Sequence, residues 1–150
     1  MTEFQAFKSS IAGLIWITVF TMHSASQTSA ADLSITVRGG QPTTGQMLIG
    51  VFNSSQSFLD SAVVSIISPV GSDGSTNDNL SLSPGTYAVA VTYDVNGNEQ
   101  MDRGALGLPA EPYGFSNNAR GLLGPPSFAK SAFRLLPEGG TITITLEPVD

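Results

Sequence analysis

The sequence predicts an all-β protein, an antiparallel sandwich, from three observations. Short apolar segments recur either with period two or as β-branched blocks. Turn residues separate them, with 16 Gly and 9 Pro in 150 residues. After residue 31 almost no stretch repeats its apolar residues at the spacing of an amphipathic helix.

Leu33, Ile35 and Val37 alternate with polar neighbours, the pattern of a half-buried strand, and Gly39, Gly40, Pro42 and Gly45 punctuate the turn that follows. Residues 47–52 are more continuously apolar and read as a strand buried on both faces. Residues 62–67 are short, β-branched and stopped by Pro69, which favours strand over helix. Residues 71–79 read as a polar loop, and Ser81 to Ser83 lead through the turn pair Pro84-Gly85. Residues 86–93 are the clearest strand, with Tyr87, Val89, Val91 and Tyr93 on one face and Ala88, Ala90 and Thr92 on the other. Residues 94–127 show neither period and form one long irregular loop. Residues 128–135 are expected to form a further strand or a short helix, and 141–146 a closing strand. This succession fits an immunoglobulin-like or transthyretin-like sandwich occupying residues 31–150 as a single domain.

Residues 1–30 carry a different signal. Lys8 precedes an apolar run from Ile11 to Phe20, and a small, polar segment ends at Ala30-Ala31. That order of charged, apolar and small-residue sections is the pattern of a secretory leader, cut after Ala30 or Ala31. The apolar run falls short of the ~20 residues of a membrane span. The expectation is an exported protein, periplasmic or secreted, with no transmembrane segment in the mature chain. Removing the leader takes away Glu3, Lys8 and the single histidine, His23, so the net charge stays at −6.

Charge and composition exclude several roles. Six basic residues against twelve acidic ones, scattered singly, make no nucleic-acid patch. Without cysteine there is no disulfide, no Cys-bound zinc and no thiol nucleophile. A mature chain that also lacks histidine has lost the commonest general base, and no Gly-x-Ser-x-Gly elbow occurs. The expectation is a protein that is not an enzyme. The remaining catalytic alternative is a hydrolase using carboxylates among Asp94, Asp102 and Glu111.

Residues 94–102 carry the most specific chemistry. Asp94, Asn96, Asn98 and Asp102 place side-chain oxygens at loop positions one, three, five and nine, and the Gln100 carbonyl lies between them. Calcium takes six to eight oxygen ligands, and alternating residues around a glycine can wrap one. The spacing resembles the first nine positions of an EF-hand loop, with departures. Glu99 stands where that loop has glycine, Ala105 stands where it has a bidentate glutamate, and a strand precedes the loop. Any calcium site would be weak, on the order of 10⁻⁴–10⁻³ M. The competing reading is a metal-free turn, closed by side-chain-to-backbone hydrogen bonds. Beyond it, Glu111, Tyr113, Phe115 and Asn117 combine aromatics with polar groups and suit recognition of a glycan or an extracytoplasmic protein. The alternative is that Tyr113 and Phe115 anchor the long loop to the core.

Four segments together carry a family resemblance: Tyr87-Ala-Val-Ala-Val, Asp94-x-Asn-Gly-Asn-x-x-x-Asp102, Leu106-Gly-Leu-Pro-x-Glu-Pro-Tyr-Gly-Phe-Ser-Asn-Asn118 and Gly124-Pro-Pro-Ser-Phe128. With these the chain resembles the bacterial secreted domains grouped as domain-of-unknown-function family 2141. The resemblance covers nearly all of the mature chain. It implies an exported β-sandwich of this size, with no established activity. Glu99 replaces the second glycine common in that family's loop.

Overall fold

A computed structural model describes residues 29–149, so most of the expected leader, residues 1–28, lies outside the described residues. Eight strands form two sheets: β1 (Ala31–Arg38), β2 (Gln46–Phe52), β3 (Val64–Pro69), β4 (Ser75–Leu82), β5 (Gly85–Asp94), β6 (Tyr113–Phe115), β7 (Phe133–Leu135) and β8 (Gly140–Thr145). One sheet runs β4-β1-β8 and the other β3-β2-β5-β6, with β7 also paired to β5. Among the described residues no helix is long and apolar enough to cross a membrane.

Period-two alternation builds the core. Leu33, Ile35 and Val37 of β1 face Met47, Ile49 and Val51 of β2 and Val89 and Val91 of β5, and all are buried. The sheets are tied at one side by a bridge between Tyr113 and Glu147, with Glu147 N–H donating to the Tyr113 carbonyl at 2.7 Å. Close approach there requires Gly114, because a Cβ would lie 2.7 Å from Ile144 Cγ2.

Three expectations are corrected and a fourth is resolved. Residues 75–79, read as loop, belong to β4, which pairs with β1 along its whole length. Its polar residues fit an edge strand, where only one face meets the core, and Leu80 and Leu82 pack there. The sandwich is not purely antiparallel, since β8 runs parallel to β1. Alternation reports which face is buried and carries no information on strand direction. The segment 47–52 is not buried on both faces, because Leu48 and Gly50 are half-exposed on the outer side. Finally, residues 128–135 form both alternatives, a helical turn α1 (Phe128–Ser131) followed by β7.

Candidate functional site

The last residue of β5 organises the loop after it. Asp94 is fully buried, opposite Gln46 of β2 in register. Its Oδ2 accepts hydrogen bonds from Gln46 Nε2 and Glu99 N–H, both at 2.8 Å. Its Oδ1 accepts from Gly97 N–H at 2.7 Å and Asn98 N–H at 3.2 Å. Three successive backbone amides therefore turn inward onto one carboxylate, a geometry that requires tight, left-handed backbone. Gly97 (φ 77°) adopts it freely, and Glu99 (φ 62°) adopts it at a cost. The bend expected at the family's second glycine is thus present with Glu99 in that place.

A second buried carboxylate closes the loop from the far side. Glu111 Oε1 accepts from Val95 N–H at 2.9 Å and Oε2 from Asp102 N–H at 3.0 Å, so one side chain clamps both ends of residues 95–102. On the outside, Asn96 Nδ2 and Asn98 Nδ2 donate to the two oxygens of Asp102 at 2.7 and 2.9 Å. Asn96 Oδ1 accepts from Asn98 N–H and Asn98 Oδ1 from Gln100 N–H, two successive Asx turns.

Each expected side-chain ligand, Asp94, Asn96, Asn98 and Asp102, therefore has its oxygens engaged by N–H groups. Gln100 enters the network through its N–H. Among the described residues no group of three or more His, Cys, Asp or Glu side chains is arranged to hold a metal ion. Burial alone would raise the Asp94 pKa, but the hydrogen bonds from Gln46, Glu99, Gly97 and Asn98 outweigh it and hold the carboxyl below its ordinary 3.8.

Of the four residues expected to face a ligand, Tyr113 and Phe115 line a groove, and Glu111 and Asn117 bond to backbone. Glu111 points into the loop as the clamp just described, and Asn117 Nδ2 donates to the carbonyls of Lys130 and Ala132. Backbone partners thus engage both Glu111 oxygens and the Asn117 amide nitrogen. Tyr113 and Phe115 lie on the outer face of the second sheet, in edge-to-face contact at 5.9 Å. They line a groove of about 870 Å³. Its floor is made of small residues, Gly50 of β2 opposite Ala90 of β5, with Leu48 and Thr92 beside them. Its far wall comes from the excursion, through Met101, Leu106, Leu108, Leu122 and Leu123. Leu106, Leu122 and Leu123 are 97%, 94% and 99% exposed. Phe52 and Phe115, which line the groove, belong to an aromatic cluster in which Phe58 packs against Phe52 at 5.3 Å, Phe128 at 5.8 Å and Phe115 at 6.2 Å.

Sequence reasoning missed three residues that hold this arrangement. Gln46 is one, and its signal lies only in the β2–β5 register. Ser116 is another, buried, with Oγ accepting from Val89 N–H at 2.8 Å and donating to the Ser131 carbonyl. Ser131 is the third, also buried, with its hydroxyl donating to the Ser127 carbonyl at 3.3 Å. Serines are too common in this chain for either to stand out.

Asp94 binds protons less readily folded than unfolded, so its contribution to stability is complete above the ordinary carboxyl pKa and is lost as pH falls through the lower folded value. Thermal melts should therefore be flat from pH 7 to about 5 and fall steeply below about 4, the window bounded by the unfolded carboxyl pKa. Asp94→Asn should flatten that acid limb and cost about 2–3 kcal/mol at pH 7, since charge-assisted bonds are lost. An unchanged acid limb in the variant would remove Asp94 from this role. Glu99→Gly should stabilise the fold by roughly 1 kcal/mol in urea titrations, by relieving left-handed strain at a β-carbon; destabilisation would show that the Glu99 side chain itself is needed.

No curated protein and no solved structure matches the chain. The family described as "uncharacterized protein conserved in bacteria" (DUF2141) does match, over residues 35–144, which span both sheets, the loop and the excursion. By this match over most of its length, the chain belongs to the DUF2141 family.

Proposed function

We propose that this protein is an exported, non-catalytic recognition module that takes an apolar segment of another extracytoplasmic protein into the groove on its outer sheet face. The groove carries the reading. A volume of about 870 Å³ lies within the range of ligand sites, and its floor is low because Gly50 has no side chain and Ala90 only a methyl group. Leucines exposed to more than nine-tenths at its mouth are what a soluble domain avoids unless a partner covers them. Tyr113 and Phe115 contribute as parts of this floor, and the excess of aliphatic side chains over the charged Asp60, Glu99 and Arg103 in the lining favours a peptide over a glycan. The absence of catalysis is supported by the state of Asp94 and Glu111, whose oxygens are filled by N–H donors and leave no free carboxylate pair.

Residues 94–102 act in this reading as a metal-independent strut. Together with Glu111 they set where the excursion leaves the sheet, and so where the groove wall stands. Calcium is the competing account of the same loop. The consecutive Asx turns and the left-handed Glu99 give the backbone course that a calcium loop needs. The saturated oxygens favour the strut.

Two measurements test these points. The neutral fluorophore N-phenylnaphthylamine should bind saturably to the parent, and Ala90→Leu, which fills the floor, should weaken binding roughly tenfold without changing the far-ultraviolet spectrum. Absence of saturable binding, or equal binding by Ala90→Leu, would remove the groove as the site. Melting in chelator and in ~10⁻² M calcium should give the same midpoint; a site with Kd ~10⁻⁴ M would instead add about 2.7 kcal/mol.

A further inference from the structure

We infer that Asn96 is a self-modification site, held back from deamidation by the hydrogen bonds of its own loop, and that its conversion to aspartate or isoaspartate loosens that loop. The inference does not depend on what occupies the groove.

Asn96-Gly97 is the only Asn-Gly pair in the chain. The reaction open to such a pair needs water alone. The Gly97 main-chain nitrogen, having given its proton to solvent, bonds to Asn96 Cγ. The Cγ–Nδ2 bond breaks, and Nδ2 leaves as ammonia with a proton taken from water. Water then opens the cyclic imide. Breaking the new N–Cγ bond yields aspartate, and breaking the bond from that nitrogen to the Asn96 carbonyl carbon yields isoaspartate. No oxidant or reductant is consumed. Glycine in second place favours the attack because it has no β-carbon to crowd the nitrogen.

Exposure gives the pair no protection. Both residues are exposed, and a Cβ built on Gly97 would meet no atom within 4 Å. Protection comes from hydrogen bonds on each group that the reaction must move. Gly97 N–H donates to Asp94 Oδ1 at 2.7 Å, which turns the nucleophile inward. That acceptor is a buried, ionised carboxylate, and its negative charge opposes loss of the N–H proton. Asn96 Oδ1 accepts from Asn98 N–H at 3.0 Å, and Nδ2 donates to Asp102 Oδ2 at 2.7 Å, so Cγ turns only by breaking both bonds. Attack therefore waits on a local opening of the loop. The chain's one Asp-Gly pair, Asp73-Gly74, is closed to the same attack for another reason. Hydrogen bonds from the Ser75 hydroxyl and N–H hold the Asp73 carboxyl below its ordinary 3.8, and an ionised carboxylate is a poor electrophile.

Conversion runs one way and removes a donor. In the aspartate product an oxygen stands where Nδ2 met Asp102 Oδ2, so two carboxylates face each other and an outer tie of the loop is lost. Isoaspartate routes the main chain through the side chain and lengthens it, which breaks the spacing of the two Asx turns. Each event also adds one negative charge to a molecule already at −6.

Peptide mass spectrometry on the full chain, aged in mildly alkaline buffer, reads the amide-to-acid mass gain at each asparagine. Asn53, followed by Ser54 and at the far end of β2 from Gln46 and Asp94, is the internal control. Unfolding in urea should speed conversion of Asn96 at least about tenfold over the native chain, because native conversion waits on opening. Asp94→Asn frees the Gly97 nitrogen, and Asp102→Ala frees the Asn96 side chain without touching the core. Each should speed conversion of Asn96 several-fold and leave Asn53 at its parent rate. Equal rates at Asn96 in the native and urea-unfolded chain would overturn the inference. So would a parent rate at Asn96 in Asp102→Ala, or acceleration of both asparagines in step, which would assign the protection to the fold as a whole. Asn96→Asp, the direct product, should melt below the parent; an equal midpoint would refute the loosening.

Discussion

A carboxylate with no exposure to water must find donors within the protein, and Asp94 finds them in one side chain and three backbone amides. That requirement settles the shape of everything after β5. It turns residues 97–99 inward, forces left-handed backbone at Gly97 and Glu99, and sends the chain back toward Glu111. Glu111 then accepts from both Val95 and Asp102 N–H, joining the two ends of the loop through one carboxylate. Gln46 couples the arrangement to β2, which makes the loop part of the sheet's register rather than an appendage.

The same requirement places the groove. Because the loop ends at a fixed point, the excursion rises over the outer face of the second sheet, and its leucines stand opposite β2 and β5. The floor beneath them is low because Gly50 and Ala90 stand side by side in register, with Phe52 and Phe115 flanking them. Ser116 and Asn117 then tie β6 to the segment around α1, so the excursion is pinned where it leaves the loop and again where it returns. A long connection of irregular backbone is held in place mostly by polar side chains bonded to main chain, as an excursion without its own ladder must be.

Taken by itself, the sequence determined the class of the fold and most of its strands. Period-two alternation around Ile35, Val89, Val91 and Ile144 requires a half-buried sheet whatever its partners are. It also singled out residues 94–102 and 111–118 as the segments carrying specific chemistry. Only the tertiary structure decided which groups those side chains meet. The oxygens of Asp94 look the same in a sequence whatever they face, and their N–H partners follow from burial and from Gln46 arriving from β2. The strand at 75–82 stayed hidden because an edge strand needs few apolar residues, and the parallel course of β8 because alternation has no direction. The groove was invisible for a related reason. Its floor is defined by side chains that are absent, at Gly50, or small, at Ala90, and such residues acquire meaning only when register sets them side by side.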